Sequence, residues 1–166
     1  AGIYRQGVSP LYWCCMAENG ESFEEQTRRT MEFLLEMQAK AEVRLAQHEE
    51  LIGRAFTAIE TLADTPVDNG ARRIIVLGRM GELGTHAPAA HLRTGELAAR
   101  RELTVIAVGE GAEGIARGAN GAPHFPVLDD AAKWLAREVK PGDVVLFKGS
   151  RTATVEKVMN AAFPRN

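Results

Sequence analysis

The sequence predicts an α/β fold: a small Rossmann-like sandwich with a parallel sheet, preceded by a long amphipathic or coiled-coil helix. Two observations support this prediction. After residue 71, short apolar runs alternate with helical segments, which is typical of parallel strands covered on both faces. Before residue 66, a long stretch is rich in good helix formers and contains a single glycine, Gly53. These features divide the chain into an irregular arm (1–20), a long helix (21–65) and an α/β domain (71–166).

The composition is that of an ordinary soluble protein. The chain has 166 residues, of which 45% are apolar and 25% charged, enough for one domain and an additional element. The formal net charge of −2 argues against binding nucleic acid through bulk charge. No apolar run approaches the roughly 20 residues that span a bilayer, and no signal peptide is indicated. We therefore expect a cytoplasmic protein with no nucleic-acid partner and no membrane span. The adjacent Cys14 and Cys15 fit a reducing compartment.

The long helix has a clear start signal and an apolar stripe. Ser22 followed by Glu25 is a capping-box pattern. One heptad phase places apolar residues at most of the a and d positions, and Leu35 and Phe56 widen the stripe. The pattern fits either a helix packed on a globule or a coiled coil, and the second interpretation predicts a homo-oligomer through 21–65. The a and d positions are Met31, Leu34, Gln38, Ala41, Leu45, His48, Ile52, Ala55, Ile59 and Leu62.

The domain after residue 71 reads as alternating strands and helices. Because ligands collect at the carboxyl ends of parallel strands, the loops after the strands are the candidate sites. The predicted strands are Ile74–Leu77, Leu103–Val108 and Val144–Phe147, with His124–Phe125 as a short edge strand. The predicted helices are Ala87–Arg101, Ala112–Gly118, Asp129–Val139 and Thr152–Phe163.

The loop after the second strand, Gly109–Gly114, matches G-x-G-x-x-G and raises a dinucleotide interpretation. Glu110 and Glu113 would place negative charge beside a pyrophosphate. The next acidic residue, Asp129, also comes early for a ribose contact. A flexible glycine turn is the competing interpretation, and the sequence favours it.

The loop after the last strand, Lys148–Arg151, is the better candidate for an anion site. Lys148 and Arg151 bracket Gly149 and Ser150 where a strand passes into a helix. Backbone N–H groups, a hydroxyl and two cations at such a point suit a carboxylate or phosphate. A capped helix with a solvated charge pair is the alternative.

The sequence contains no recognisable motif for a metal site or for a catalytic nucleophile. The separation between His86 and His91 does not place two side chains on one helical face, so we predict no metal pair. No P-loop and no G-x-S-x-G elbow occur. We therefore expect no metal site and assign no catalytic residue.

Two motifs in this order and spacing resemble the C-terminal domain of the Mur ligase family. The resemblance is closest to the branch that adds D-alanyl-D-alanine to a UDP-muramoyl tripeptide. In "RRIIVLGRMGELG" and the helix that follows, the matching residues are Gly78, Met80, Glu82, Leu83, Gly84, His91 and Gly95. In "PGDVVLFKGSR" and its helix, they are Gly142, Asp143, Lys148, Gly149, Ser150, Arg151 and Glu156.

The resemblance implies a role in ATP-dependent amide ligation during cell-wall peptidoglycan synthesis. In that family the central domain binds ATP and Mg²⁺, and the C-terminal domain helps to hold the nucleotide and the incoming dipeptide. This chain has no central domain, so we expect no cofactor bound by it alone and upstream ligase domains as partners. The resemblance implies substrate or anion binding by Lys148, Gly149, Ser150 and Arg151. It places Gly78, Arg79, Met80, Glu82, Gly84 and His91 at the cleft.

Two departures from the family pattern support an alternative function. Arg79 stands where the family carries Asp, which reverses the charge of the loop. The family's opening strand and its nucleotide-contacting motif are replaced by a helical stretch, roughly Glu42–Ala55. The alternative is a non-enzymatic oligomeric interaction or scaffold module built on a degenerate ligase domain.

Overall fold

The computed structural model describes residues 22–164, and the predicted arm (1–20) lies outside the described residues. The chain divides into two compact units, Ala1–Ala46 and Gln47–Asn166. Within residues 22–164, no helix combines the length and the apolar character needed to cross a membrane.

Helix α1 spans Phe23–Asp64. The Ser22 Oγ accepts a hydrogen bond from the Glu25 N–H at 3.2 Å, so the predicted N-cap is confirmed. Every described residue of the first unit is exposed. In the second unit, the C-terminal turns of α1 bury Ala55, Ile59 and Leu62 in the core of the α/β domain. This part of the heptad stripe is therefore an intramolecular packing surface.

The sheet has four parallel strands in the order β3-β2-β1-β4. Ile74 of β1 is level with Thr104 of β2 and with Val145 of β4. The parallel sheet and its helices confirm the predicted Rossmann-like α/β sandwich. The strands are β1 (Arg73–Gly78), β2 (Thr104–Val108), β3 (His124–Phe125) and β4 (Val144–Lys148).

Helices cover both faces of this sheet. Because successive side chains of a strand alternate between faces, Ile74 and Val76 pack on one side and Ile75 and Leu77 on the other. The first side is covered by α4 and α5, and the second by α2, α3 and the end of α1. These helices are α2 (Ala87–Arg100), α3 (Glu113–Gly118), α4 (Leu128–Glu138) and α5 (Val155–Ala162).

Helix α4 starts within one residue of its predicted position. It begins at Leu128 with Val127 at the N-cap and no side-chain cap. Asp129 and Asp130 instead lie in the first turn, where their charges interact favourably with the helix dipole.

A buried carboxylate joins the starts of β1 and β4. The Asp143 side chain is 2% exposed and forms an ion pair with Arg72 at 2.7 Å. It also accepts hydrogen bonds from the backbone N–H groups of Arg72 at 2.8 Å and Lys140 at 2.9 Å. Hydrogen bonding from Arg72 holds the pKa of Asp143 well below its usual range. This network fixes two adjacent strands whose other ends carry the candidate site.

Helices α2 and α3 pack with their backbones in close contact. A Cβ atom at Gly95 would lie 2.1 Å from the Ile115 carbonyl oxygen, and one at Gly118 would lie 2.0 Å from the Leu92 carbonyl oxygen. Only glycine fits at these two positions. Gly95, one of the residues that carry the family resemblance, therefore has a packing role.

Candidate functional site

The loop after β1 is held from behind by a buried histidine. The Met80 N–H donates a hydrogen bond to His91 Nε2 at 2.8 Å, so this nitrogen is an unprotonated acceptor. His91 lies on α2 and is buried. Burial lowers the pKa of His91, and the nearby charge of Arg79 acts in the same direction. His91 therefore positions the loop as a neutral imidazole.

The same loop is anchored at its end by an apolar side chain. Leu83 is buried, and the preceding Glu82 adopts a left-handed conformation with φ of 65°. A 3₁₀ turn, Gly84–His86, then leads into α2. The turn places the Glu82 side chain on the surface, at the rim of the cleft described below.

The loop after β4 is hydrogen-bonded to the loop after β1. The Ser150 N–H donates to the Arg79 carbonyl oxygen at 3.2 Å. The Arg79 guanidinium donates to the Thr152 hydroxyl at 3.4 Å. The hydroxyls of Ser150 and Thr152 lie 2.9 Å apart, within hydrogen-bond distance. Two segments far apart in sequence therefore form one polar surface.

Glycines allow these two loops to approach each other. A Cβ atom at Gly149 would lie 2.9 Å from Val155 Cγ1 and 3.3 Å from the Gly78 Cα. A Cβ atom at Gly78 would meet Val155 Cγ1 at 2.6 Å. Any larger residue at either position would separate the loops and move their polar groups.

The two loops line a cleft of about 530 Å³ within the second unit. Arg79, Lys148 and Arg151 are the cations on its wall, with Glu82 as the carboxylate. Arg54 also lines the cleft but forms an ion pair with Glu50 at 2.6 Å. The other lining residues are Leu51, Ala55, Leu77, Gly78, Met80, Gly81, Thr94, Ile115, Gly149, Ser150 and Thr152.

The cleft carries excess positive charge. Among residues 22–164, no carboxylate forms an ion pair with Arg79, Lys148 or Arg151. Lys148 is half-buried, whereas the two arginines are exposed. Unpaired cations beside hydroxyls and backbone N–H groups suit a carboxylate or a phosphate.

In the Gly109–Gly114 loop, a backbone N–H group already forms a hydrogen bond within the loop. The Gly111 N–H donates to Glu113 Oε1 at 3.2 Å. Hydrogen bonds from its own backbone N–H and from that of Gly111 hold the pKa of Glu113 below its ordinary value. This carboxylate takes a donor that a pyrophosphate would need, which disfavours the dinucleotide interpretation.

The structure brings most of the sequence-predicted site residues to one cleft. Gly84 and His91 lie outside its lining: Gly84 starts the 3₁₀ turn and His91 supports the loop from α2. Thr94 and Thr152 were not predicted, because their hydroxyls belong to no motif. The contribution of α1 was not predicted either, since no local pattern shows which turn of a helix faces a distant loop. The predicted residues on the wall are Gly78, Arg79, Met80, Glu82, Lys148, Gly149, Ser150 and Arg151.

The fold is a parallel α/β sandwich whose cationic cleft is formed by the loops of two adjacent strands. The family model described as Mur ligase, glutamate ligase domain, matches residues 52–151. The chain belongs to this family. The match includes the last turns of α1, in agreement with their burial in the domain core.

Curated relatives and solved structures are ligases of this family. The UDP-N-acetylmuramoyl-tripeptide–D-alanyl-D-alanine ligase of Escherichia coli (strain K12) is 32% identical over 114 residues, 66% of this chain and 24% of that protein. The ligase of the same name from Synechocystis is 32% identical over 116 residues, 67% of this chain and 25% of that protein. The chain thus spans about a quarter of the length of these relatives.

Solved structures of MurF ligases are also similar to this chain. The MurF ligase from Thermotoga maritima in complex with ADP has a TM-score of 0.55 and 30% identity, over 67% of this chain and 25% of that one. MurF from Acinetobacter baumannii has a TM-score of 0.56 and 27% identity, over 63% of this chain and 23% of that one.

Proposed function

We propose that this chain acts as the C-terminal domain of a peptidoglycan-precursor ligase that joins D-alanyl-D-alanine to a UDP-muramoyl tripeptide. In this proposal the cleft binds the anionic group of the nucleotide or of the dipeptide. The observation that carries the proposal is the convergence of Arg79, Lys148 and Arg151 on one cleft without carboxylate partners among the described residues. The names of the two curated relatives, and the ADP complexed with the Thermotoga maritima ligase, support this choice of ligand.

The donor set of the cleft fits an anion and does not fit a magnesium ion. The cleft lining has more cationic than anionic side chains and Glu82 as its carboxylate, whereas Mg²⁺ is usually bound by one or two carboxylates together with phosphate oxygens and water. Within residues 22–164, no three His, Cys, Asp or Glu side chains are grouped to hold a metal. We therefore assign anion binding to this chain and magnesium binding to the remaining domains of the ligase.

The ligation step is not assigned to any residue of this chain. An ATP-binding domain, on the same or on another polypeptide, would complete the site and act as the partner of this domain. Because the reaction uses ATP and a UDP-linked precursor, this proposal places the chain in the cytoplasm.

Calorimetry on the whole chain tests the proposal. ADP, D-alanyl-D-alanine and inorganic phosphate are titrated separately at millimolar concentration into the wild type and into Lys148→Gln. Loss of one charged hydrogen bond is expected to weaken binding of the anion about tenfold or more. Lys157→Gln is the matched control, because Lys157 is exposed on α5 and does not line the cleft. Its affinity is expected to equal that of the wild type.

Two results would contradict the proposal. Absence of heat with all three ligands would favour the alternative, a scaffold module on a degenerate domain. An equal loss of affinity in Lys148→Gln and Lys157→Gln would show a bulk charge effect rather than a site. Arg79→Asp, which introduces the charge that the resemblance implies, is expected to weaken anion binding relative to the wild type. It is expected to create no ligase activity.

A further inference from the structure

The first unit presents an uncovered apolar stripe on α1. Every described residue from Phe23 to Ala46 is exposed, including large apolar side chains. An amphipathic helix in a protein is stabilised mainly by packing its apolar face. Within the described part of the first unit, nothing covers this face. The stripe consists of Phe23, Met31, Leu34, Leu35, Met37 and Leu45, each between 44% and 63% exposed.

The stripe is wider than the seam of a two-stranded coiled coil. Met31, Leu34 and Leu45 occupy a and d positions, and Leu35 and Met37 flank them at e and g. At about 100° per residue, the stripe spans roughly 160° of the helix surface. A stripe of this width suits a bundle in which each helix contacts more than one neighbour.

Outside the stripe, α1 carries charged residues and two isolated exposed apolar side chains, Phe33 and Val43. Lys40 forms an ion pair with Glu36 at 2.6 Å, on the side away from the stripe. This arrangement leaves the charged residues in solvent and the contiguous apolar stripe without a covering surface.

The area of the stripe is sufficient for self-association. Each of its six side chains would bury roughly 100 Å², which gives roughly 1,200 Å² over two copies. This exceeds the roughly 1,000 Å² that a specific interface needs.

Gln38 favours the parallel register. It occupies an a position within the stripe, and its amide donates to Glu42 of the same helix at 3.1 Å. In a parallel, in-register bundle, Gln38 faces the Gln38 of the neighbouring copy, and the two amides can hydrogen-bond to each other. An antiparallel arrangement centred on this layer places it against Ala41, which offers no polar partner.

We propose that Phe23–Ala46 of α1 assembles with the same segment of further copies of this chain in a parallel, in-register helical bundle. The inference rests on the stripe alone and is independent of the ligand of the cleft.

Sedimentation equilibrium of the whole chain at micromolar concentration tests the assembly. The expected mass is a multiple of the 18.1 kDa chain. Leu34→Ala is expected to raise the dissociation constant roughly 100-fold or more, because each copy loses a buried side chain. Val43→Ala is the matched control: both residues are 58% exposed, but Val43 lies on the opposite face. A monomeric wild type, or equal effects of both substitutions, would overturn the proposal.

Disulfide trapping tests the orientation in a Cys14→Ser/Cys15→Ser background. Leu34→Cys is expected to cross-link with itself, because equivalent d positions are adjacent in a parallel bundle. In the antiparallel alternative, two copies of residue 34 lie roughly 16 Å apart along the axis, too far for a disulfide. Cross-linking only in a mixture of Leu34→Cys and Leu45→Cys would therefore overturn the parallel arrangement. Val43→Cys, on the solvated face, is expected not to cross-link.

Discussion

Gly95→Ala is expected to destabilise the α/β domain by about 3 kcal/mol, because it forces α2 and α3 apart. The new Cβ would lie 2.1 Å from the Ile115 carbonyl oxygen and 2.8 Å from the Ala119 backbone nitrogen. Both are backbone atoms, so no change of side-chain rotamer relieves the overlap. Restoring ordinary contact requires a shift of roughly 1 Å between two closely packed helices, and overpacking of this kind costs about 1–3 kcal/mol or more.

Gly53→Ala is the control, and it is expected to raise the free energy of unfolding rather than lower it. Gly53 lies in α1, is exposed, and has no neighbouring atom within 4 Å of the position that a Cβ would take. Replacing an exposed helical glycine with alanine stabilises a helix by about 0.5–1 kcal/mol. The two variants are therefore expected to differ by about 3.5–4 kcal/mol although the chemical change is identical.

Urea unfolding followed by circular dichroism measures both variants against the wild type. Gly95→Ala is expected to lower the midpoint strongly and Gly53→Ala to raise it slightly. A free energy of unfolding for Gly95→Ala within about 0.5 kcal/mol of the wild type would refute the packing argument. A partly folded Gly95→Ala variant would also be expected to lose the Met80–His91 hydrogen bond, since His91 lies on the same helix.

Three further outcomes are expected. Asp143→Asn should cost about 2 kcal/mol at pH 7 in urea unfolding, because the buried network loses its charged acceptor. Since the folded pKa of Asp143 is depressed, this contribution is present above about pH 4 and lost below it; a wild-type advantage that persists undiminished at pH 2 would contradict this account. The folded pKa of His91 is also lowered, so the unfolded state takes up its proton first and stability falls as the pH drops below about 6.5. His91→Gln should flatten this slope in a pH series of unfolding curves, and an unchanged slope would count against it. Thr154→Gly should raise the free energy of unfolding by about 1 kcal/mol, because Thr154 holds a left-handed φ of 46°; no gain in thermal or urea midpoint would argue against strain there.

The strands were predictable because glycines and turns bound their apolar runs. Val144–Phe147, for example, lies between a Pro-Gly turn and Gly149, and the observed β4 extends it only to Lys148. The start of α4 was predicted to within one residue, but the absence of a side-chain cap had no signal in the sequence. An Asp close to a helix start usually signals an N-cap, but here Val127 is extended and the acids fall inside the first turn.

The heptad pattern identified the apolar face of α1 but did not show which surface covers it. Ile59 and Leu62 pack in the domain core, whereas Leu34 and Leu45 of the same phase are exposed. Periodicity shows which face is apolar and not what covers it, because both kinds of partner require the same spacing. For the same reason the approach of α1 to the cleft through Leu51 had no signal in the sequence.

Arg79, at a position where the resemblance implies Asp, is compatible with this loop because the loop is held by groups other than this side chain. The bond from the Ser150 N–H ends on the Arg79 carbonyl oxygen, which any residue provides. The bond from Met80 to His91 also uses the backbone N–H. Arginine therefore changes the charge of the cleft without requiring a change in its backbone. A carboxylate at this position would suit a cation, whereas the guanidinium adds a donor beside Thr152, so the substitution favours an anionic group at the junction of the two loops.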